Sequence, residues 1–164
     1  MHGETQANRL SKLMQKKGHL PNYELALPLV TVRSSYLEKL VLGDVLLLRL
    51  KHLKCILLDN GTICANVILV KHNNRHAMKI VTSTETKLKP VNSKKYEEIK
   101  LLLGTVHSRT LTIGHMIDIT QINLKRVALI AKDNKIATAS LVNVDGEIAV
   151  KIDKVKKDEY TSDK

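Results

Sequence analysis

Phenylalanine and tryptophan are absent from this 164-residue chain, and tyrosine occurs only four times. Single-stranded nucleic acids stack their bases on aromatic side chains, so this scarcity argues against a binding site of that kind. Hydrophobic residues nevertheless make up 43% of the chain. The core must therefore be built from leucine, isoleucine and valine, a composition that favours close-packed β-sheets.

Cysteine is also scarce, with Cys55 and Cys64 alone in the chain, which is too few for a disulfide framework. If Asn60-Gly61 forms a two-residue turn, Cys55 lies opposite Asn66 and Cys64 lies opposite Leu57. The two thiols are then diagonal neighbours rather than a bridged pair. We expect buried, reduced thiols in a cytosolic protein.

Long apolar runs are lacking as well. The run Val45–Leu48 ends at Arg49, well short of a membrane span, and the N-terminus lacks the apolar segment of a signal peptide. We therefore expect a soluble, cytoplasmic protein.

The formal net charge is +11, which raises the possibility of a nucleic-acid partner. The positive charge is diffuse, however, and lysine supplies most of it, whereas bidentate recognition of phosphates and bases favours arginine. Solvated surface lysines are the better interpretation, and we expect no nucleic-acid partner.

The chain contains an internal repeat. Residues 31–37 (TVRSSYL) reappear as residues 105–111 (TVHSRTL), and residues 76–80 (HAMKI) reappear as residues 148–152 (IAVKI). Between these segments, residues 43–45 are matched with residues 117–119, so that Asp44 corresponds to Asp118. The offset is 74 residues at the start and 72 at the end. Two copies of a small unit suggest a pair that packs together as a homodimer does, rather than a solenoid of many copies.

The repeat divides the chain into five segments. Residues 1–23 form an N-terminal tail or short helix, residues 24–81 a first small β domain, and residues 82–95 a polar linker. Residues 96–155 form the second domain, and residues 156–164 a charged tail. Each domain is so small that a lone core is marginal, and a partner usually supplies the missing burial.

Turn signals locate the strands. In the first copy we expect strands over 27–32, 45–50, 54–58, 62–70 and 75–81, a helical turn over 36–40, and tight turns at Asn60-Gly61 and Asn73-Asn74. In the second copy we expect an extended or partly helical segment over 97–106, a short turn over 111–116, and strands over 126–131, 135–142 and 148–152. The turns of that copy are placed at Asp133-Asn134 and Asp145-Gly146. The fold class is mainly β.

No catalytic constellation is evident. The sequence contains no phosphate-binding glycine loop, nucleophile elbow or metalloprotease motif. His72 and His76 are four residues apart, but the turn between them and the lack of a third ligand favour a solvent-facing pair. Asp44 and Asp118 each follow a turn-like segment, where aspartate commonly accepts hydrogen bonds from backbone amides. We expect neither an enzyme nor a cofactor or metal site.

Residues 127–152 (VALIAKDNKIATASLVNVDGEIAVKI) are similar to the surface-presentation-of-antigens (SpoA) domain. They match its apolar strand, small polar turn, Ile-Ala step, strand ending in valine, Asp-Gly turn and Val-x-Ile close. Ala139-Ser140 replaces the usual Gly-Glu. In the first copy, residues 42–47 (LGDVLL) resemble the family's Val-Gly-Asp-Val-Leu segment.

The tandem arrangement resembles the SctQ/YscQ/SpaO family of type III secretion ring proteins more than the single-copy flagellar switch proteins. The resemblance implies two SpoA domains that interlace their strands, in a non-enzymatic component of the cytoplasmic sorting platform at the inner-membrane base of the secretion apparatus. The implied partners are other SpoA subunits and the regulator of the secretion ATPase. Because family members carry a further N-terminal region, the resemblance also implies a fragment or an internally started product.

Nine apolar strand positions are the candidate interface between the two copies and with partners. They are Val45, Leu47, Ile68 and Val70 in the first copy, and Leu129, Val142, Val144, Val150 and Ile152 in the second. If the partner alone covers half of each copy's apolar surface, separating the copies costs on the order of 10 kcal/mol. Two alternatives stay open, namely a flagellar motor switch component and a basic RNA-binding β protein.

Overall fold

The computed structural model describes residues 21–89 and 93–156. The first half contains strands β1 (Asn22–Ala26), β2 (Val30–Arg33), β3 (Val45–Leu50), β4 (Lys54–Asp59), β5 (Thr62–His72), β6 (Arg75–Thr82) and β7 (Thr86–Lys87), with helix α1 (Ser34–Glu38). The second half contains β8 (Tyr96–His107), β9 (Met116–Asp118), β10 (Arg126–Ala131), β11 (Asn134–Val144) and β12 (Glu147–Val155). The mainly-β prediction is confirmed. No helix in the described ranges is both long and apolar enough to cross a membrane.

One antiparallel sheet joins both halves, and its strand order is β3-β12-β11-β10-β8-β1-β4-β5-β6-β9. Strand β3 of the first half lies at the end of the second half, beside β12. Strand β9 of the second half lies at the end of the first half, beside β6. The two halves therefore exchange one strand each. Equivalent strands of the two halves follow one another in the same order from either end of the sheet.

The centre of the sheet obeys the same symmetry. Strands β1 and β2 both pair with β8, and Tyr23 lies opposite Val106 while Val32 lies opposite Glu97. The two pairs are equivalent at an offset of 74 residues, because Tyr23 corresponds to Glu97 and Val32 corresponds to Val106. The halves are thus related by a local two-fold axis that passes through this strand pair, as the repeat predicts.

Irregularities in the hairpins repeat at a constant offset of 72 residues. A β-bulge interrupts the β4–β5 register between Leu57 and Leu58, and another interrupts the β10–β11 register between Leu129 and Ile130. The bulges of β5–β6 and β11–β12 follow the same rule. Because a bulge adds a residue to one strand only, its recurrence shows that both copies keep one hairpin geometry.

The exchanged strands correct one part of the repeat alignment. The Gly43 amide donates to the Ile152 carbonyl at 2.8 Å, and the Gly114 amide donates to the Ile80 carbonyl at 2.8 Å. Gly43 therefore corresponds to Gly114, an offset of 71, and Leu47 corresponds to Asp118. The match between Asp44 and Asp118 is wrong because α1 lengthens the first copy just before this segment.

The first predicted strand, over 27–32, is also corrected. Strand β1 ends at Ala26, before the predicted strand begins, and β2 begins only at Val30. Pro28 explains the break, since proline has no amide to donate to a ladder and restricts the backbone of the residue before it. Leu27 still donates its amide to the Leu101 carbonyl at 2.9 Å.

Other boundaries shift by a few residues. Helix α1 begins two residues before the predicted helical turn, and the turn predicted at Asp133-Asn134 has its positive φ values at Lys132 and Asp133. Strand β12 extends to Val155, and β1 includes residues 22 and 23, which were assigned to the N-terminal segment. The turns at Asn60-Gly61, Asn73-Asn74 and Asp145-Gly146 are confirmed by positive φ at both central residues of each.

The linker over 82–95 is partly structured. Strand β7 pairs with the start of β5, and Leu88 donates its amide to the Gly61 carbonyl at 3.0 Å. Residues 1–20 of the predicted N-terminal tail or short helix lie outside the described residues. The division into domains at 24–81 and 96–155 stays a prediction.

The main core is continuous across both halves. Leu25, Leu57 and Met78 of the first half share one buried cluster with Ile99, Leu129 and Ile152 of the second. Each of these side chains is at most 1% exposed. Neither half closes its core without the other, which agrees with the expectation that a lone copy is marginal.

Candidate docking surface

The nine predicted interface positions fall into three groups. Val45 and Leu47 are exposed on β3, at one end of the sheet. Leu129, Val150 and Ile152 are buried in the shared core. The remaining four positions, Ile68 and Val70 on β5 with Val142 and Val144 on β11, are half-buried.

The structure brings some of these positions together across the exchanged strand. Val45 lies opposite Lys151, Leu46 lies opposite Val150, and Leu47 lies opposite Ala149. Strands β5 and β11, by contrast, lie in different halves of the sheet and share no ladder. The contact of any of these positions with a partner protein stays a prediction.

Two exposed apolar side chains next to Val45 and Leu47 were missed by the sequence reasoning. Val41 is 51% exposed and Leu42 is 67% exposed, in the turn that leads into β3. In the second half Ile113, which corresponds to Leu42, is 66% exposed. The signal lies in the segments LVLG at 40–43 and LTIG at 111–114, where an apolar residue directly precedes a turn glycine. We call Val41, Leu42, Val45 and Leu47 the β3 surface.

The geometry of the turn before β3 depends on a carboxylate. An oxygen of Asp44 accepts a hydrogen bond from the Val41 amide at 3.0 Å. Gly43 has a φ of 96°, a conformation that side chains disfavour. These features direct the chain from the buried Leu40 into the edge strand. They leave the side chains of Val41 and Leu42 exposed to solvent.

Charged side chains of both signs surround the β3 surface. Lys39 and Lys51 are exposed just outside its two ends along the chain, Arg49 is exposed on β3 itself, and Lys151 lies opposite Val45 on β12. Acidic side chains lie among them, namely Glu38, Asp44, Glu147 and Asp153. The surface therefore combines an apolar centre with a rim of mixed charge.

Asp118 is likewise a turn residue. Its carboxylate accepts the Thr120 amide at 2.9 Å, and this hydrogen bond lowers the pKa of Asp118 below its usual value. The prediction that both aspartates bond to backbone amides is therefore confirmed. His72 and His76 lie at the β5–β6 turn, where His72 is opposite Arg75 and His76 is opposite Lys71. Within residues 21–89 and 93–156, no three His, Cys, Asp or Glu side chains are grouped closely enough to hold a metal ion.

Both cysteines are free and buried. Cys55 lies opposite Val67 rather than Asn66, and Cys64 is the extra residue of the β4–β5 bulge, so the predicted register is wrong by one residue. Burial raises the pKa of the Cys55 thiol to about 12. The pKa of Cys64 is also raised, first by burial and then by the nearby Asp59 and Glu85 carboxylates. Neither environment favours a reactive thiolate.

An ion pair joins the halves beside the central strands. The Lys100 ammonium group on β8 lies 2.7 Å from a Glu24 carboxylate oxygen on β1. Both side chains are partly exposed, so the pair contributes to register more than to stability. They border a shallow cleft of about 370 Å³ that is lined by both charged and apolar side chains.

Models of known protein families and the set of curated proteins were both compared with this chain, and neither comparison finds a match.

Proposed function

We propose that this chain is a non-enzymatic structural component of the cytoplasmic sorting platform of a type III secretion system. Its two SpoA-like copies pair through their strands, and the paired unit recruits the regulator of the secretion ATPase and further SpoA-containing subunits. The protein acts in the cytoplasm, peripheral to the membrane-embedded machine at its inner-membrane base.

The observation that carries this proposal is the reciprocal exchange of β3 and β9 between the two halves. A pair of repeats that complete each other's sheets behaves as one rigid building block, which suits a repeating ring. The resemblance to SpoA domains supports the same reading, because the segment over 42–47 that resembles the family pattern forms the turn and first part of the exchanged strand.

The net charge of +11 is the specific observation that favours the second candidate, a basic RNA-binding protein. The two functions differ in salt dependence, because neutralising phosphates releases counterions and makes binding fall steeply with salt. We expect no RNA binding at about 150 mM salt in a titration with generic RNA. Tight binding that weakens steeply with salt would favour the RNA function.

The direct test is affinity capture of the full chain, carrying a tag, from the cytosol of a secretion-competent bacterium after mild cross-linking. The proposal predicts that the regulator of the secretion ATPase and SpoA-domain subunits are enriched over a mock capture. The matched control is a Leu46→Asp variant, which places a charge against Val150 and breaks the exchanged pair. Enrichment of flagellar switch proteins instead would support the flagellar alternative, and recovery of neither group would contradict the proposal.

A further inference from the structure

The end of the sheet at β3 has an open, apolar edge. Among the described residues β3 pairs only with β12, so its other edge presents backbone amides and carbonyls without a ladder partner. Val45 and Leu47, two residues apart, are 42% and 51% exposed on one face of this strand. An edge with these properties is a template for a further strand, and natural proteins usually protect such edges with charge or shortness.

The opposite end of the sheet shows that protection. Strand β9 has three residues, against six in β3. At the position that corresponds to Leu47, β9 carries the exposed Asp118, and the position that corresponds to Leu46 is the buried Ile117. The two ends share one backbone arrangement, so the difference between them lies in side chains and length. Within the described part of the chain, exposed apolar side chains on the end strand itself are found at the β3 end alone.

The reach of the added strand is limited by a bulge. Leu47 lies opposite Ala149 and Leu50 lies opposite Ile148, so Leu48 and Arg49 have no directly opposed residues on β12. Arg49 has a φ of 58°, which bends the strand away from a regular ladder. The regular free edge therefore runs over about four residues, from Val45 to Leu48.

Charge selects among the occupants of this edge. The net charge of the chain is +11, so a second copy of the chain brings like charges together. Residues 1–20 carry Arg9, Lys12, Lys16 and Lys17 against Glu4 and are also basic. A segment with acidic residues on both sides of an apolar centre complements this net charge and can pair with Lys39, Arg49, Lys51 and Lys151 at the edge, since opposite potentials favour encounter and register.

We propose that the β3 edge binds an extended, acidic segment of a partner protein as an added strand. The bound segment places apolar side chains at alternate positions beside Val45 and Leu47, and its flanking Asp or Glu side chains pair with the four cations around the edge. Main-chain hydrogen bonds supply affinity, and the alternate side chains supply specificity. This inference goes beyond the proposed function and does not rest on it, because it concerns the chemistry of the edge in any assembly.

The test begins with an unbiased selection. A random display library of 12-residue peptides is selected against the immobilised full chain. We expect enriched peptides with apolar residues at i and i+2, acidic flanks, and an affinity that weakens at least about threefold between 50 and 500 mM salt. Enrichment of basic peptides, enrichment of helical i, i+4 patterns, or no enrichment would overturn the proposal.

The selected peptide is then titrated by NMR into the full chain and two variants. Leu47→Asp should weaken binding at least tenfold, and it is a mild change because Asp118 occupies the corresponding place in the other half. Leu47→Thr, which keeps a β-former without the charge, should weaken binding less. The matched control Asp118→Leu at the opposite end should leave binding at the β3 edge within about twofold. If Leu47→Asp and Asp118→Leu weaken peptide binding equally, or if Leu47→Asp does not weaken it, the proposal is wrong.

The same spectra distinguish other occupants. If the peptide-free chain dimerises and Leu47→Asp abolishes the dimer, a second copy occupies the edge and the proposal is wrong. If Leu47→Asp shifts the signals of residues 1–20 or of residues 157–164 in the peptide-free chain, a terminal segment of the chain itself occupies the edge, and the proposal is again wrong. A failed platform capture alongside a confirmed peptide site would reject the proposed function alone.

Discussion

Leu46 of the first half lies opposite Val150 of the second half in neighbouring antiparallel strands. The reciprocal pair is Ile117 of the second half and Met78 of the first. Three of these four side chains are at most 1% exposed, so the exchanged strands contribute to the core of the opposite half. The chain is therefore organised as a covalently joined strand-exchanged dimer.

The reassigned equivalence of Gly43 and Gly114 predicts equal effects of substitution. Their φ values are 96° and 94°, and a Cβ at either position meets no atom within 4 Å. Gly43→Ala and Gly114→Ala should each cost about 1–3 kcal/mol of unfolding free energy, because both force alanine into a conformation it disfavours. Urea denaturation of both variants measures the two costs. Values that differ by more than about 1 kcal/mol would contradict the equivalence.

Gly104 makes a close approach to Ile122, and this contact predicts an energetic coupling. A Cβ at position 104 would lie 2.6 Å from Cδ1 of Ile122. Gly104→Ala should destabilise the chain by about 1–3 kcal/mol, because the φ of 158° disfavours a side chain and because the added Cβ displaces the end of the Ile122 side chain. Ile122→Val removes that Cδ1 atom, so it should relieve part of the cost in the double variant. A double-mutant cycle by chemical denaturation checks this, and strictly additive effects would show that the contact is not responsible.

The buried Cys55 thiol predicts a reactivity that depends on folding. Its pKa is raised from 9.0 to about 12 by burial, so the thiolate fraction near pH 8 falls about a thousandfold, and thiolate is the reactive form. In a Cys64→Ala variant, where Cys55 is the remaining thiol, labelling at pH 8 should be slow until urea unfolds the chain. Rapid labelling of the native variant would show that position 55 is open to solvent.

The same shift sets the sign of a pH dependence. Below pH 9 the thiol is protonated in both states, and its contribution to stability is fully present. Between pH 9 and about 12 the thiol ionises in the unfolded chain but not in the folded one, so the unfolding free energy falls as pH rises. The Cys64→Ala variant should lose more stability over this range than a Cys55→Ala/Cys64→Ala variant. If the unfolding free energies of the two variants fall in parallel between pH 9 and about 12, Cys55 is not the cause of the pH dependence.

The shared core predicts that the halves do not fold alone. The fragments 1–91 and 92–164 separate β3 from β12 and β9 from β6. Fragment 1–91 should be insoluble, or should lack fixed tertiary packing as judged by near-UV circular dichroism and hydrogen exchange. Co-expression with fragment 92–164 should restore a native heterodimer. A homodimer of fragment 92–164 is compatible with the account, because two copies of the fragment can exchange strands with each other. Two folded monomers would contradict the account.

Local chemistry explains which parts of the fold could be predicted. The hairpin turns at Asn60-Gly61, Asn73-Asn74 and Asp145-Gly146 depend on a few residues that accept positive φ, and all three are found where they were expected. Leu129 and Ile152, which were predicted as interface positions, lie in the core that the two halves share. Strands β3 and β10 have the predicted bounds.

Long-range and two-sided features could not be predicted in the same way. The alignment of Asp44 with Asp118 failed because α1 adds residues to one copy, and the compensating shift is seen in the hydrogen bonds of Gly43 and Gly114 and in the registers of β3 and β9. The exposure of Val45 and Leu47 could not be predicted, because Val45–Leu48 is apolar on both faces and alternation gives no signal. The bulge at Cys64 also has no local signature.

A disulfide between the exchanged strands provides the most direct test of the central claim. Val45 and Lys151 are exposed and directly opposed on antiparallel strands, a separation that a disulfide can span. A Val45→Cys/Lys151→Cys chain carries a protease site at residues 90–92, and Val45→Cys alone is the control. After oxidation and cleavage, the account predicts that each monomeric chain yields two pieces that stay linked by the disulfide and separate only when it is reduced. Pieces that separate without reductant, or bonds that form only between different chains, would contradict strand exchange within one chain.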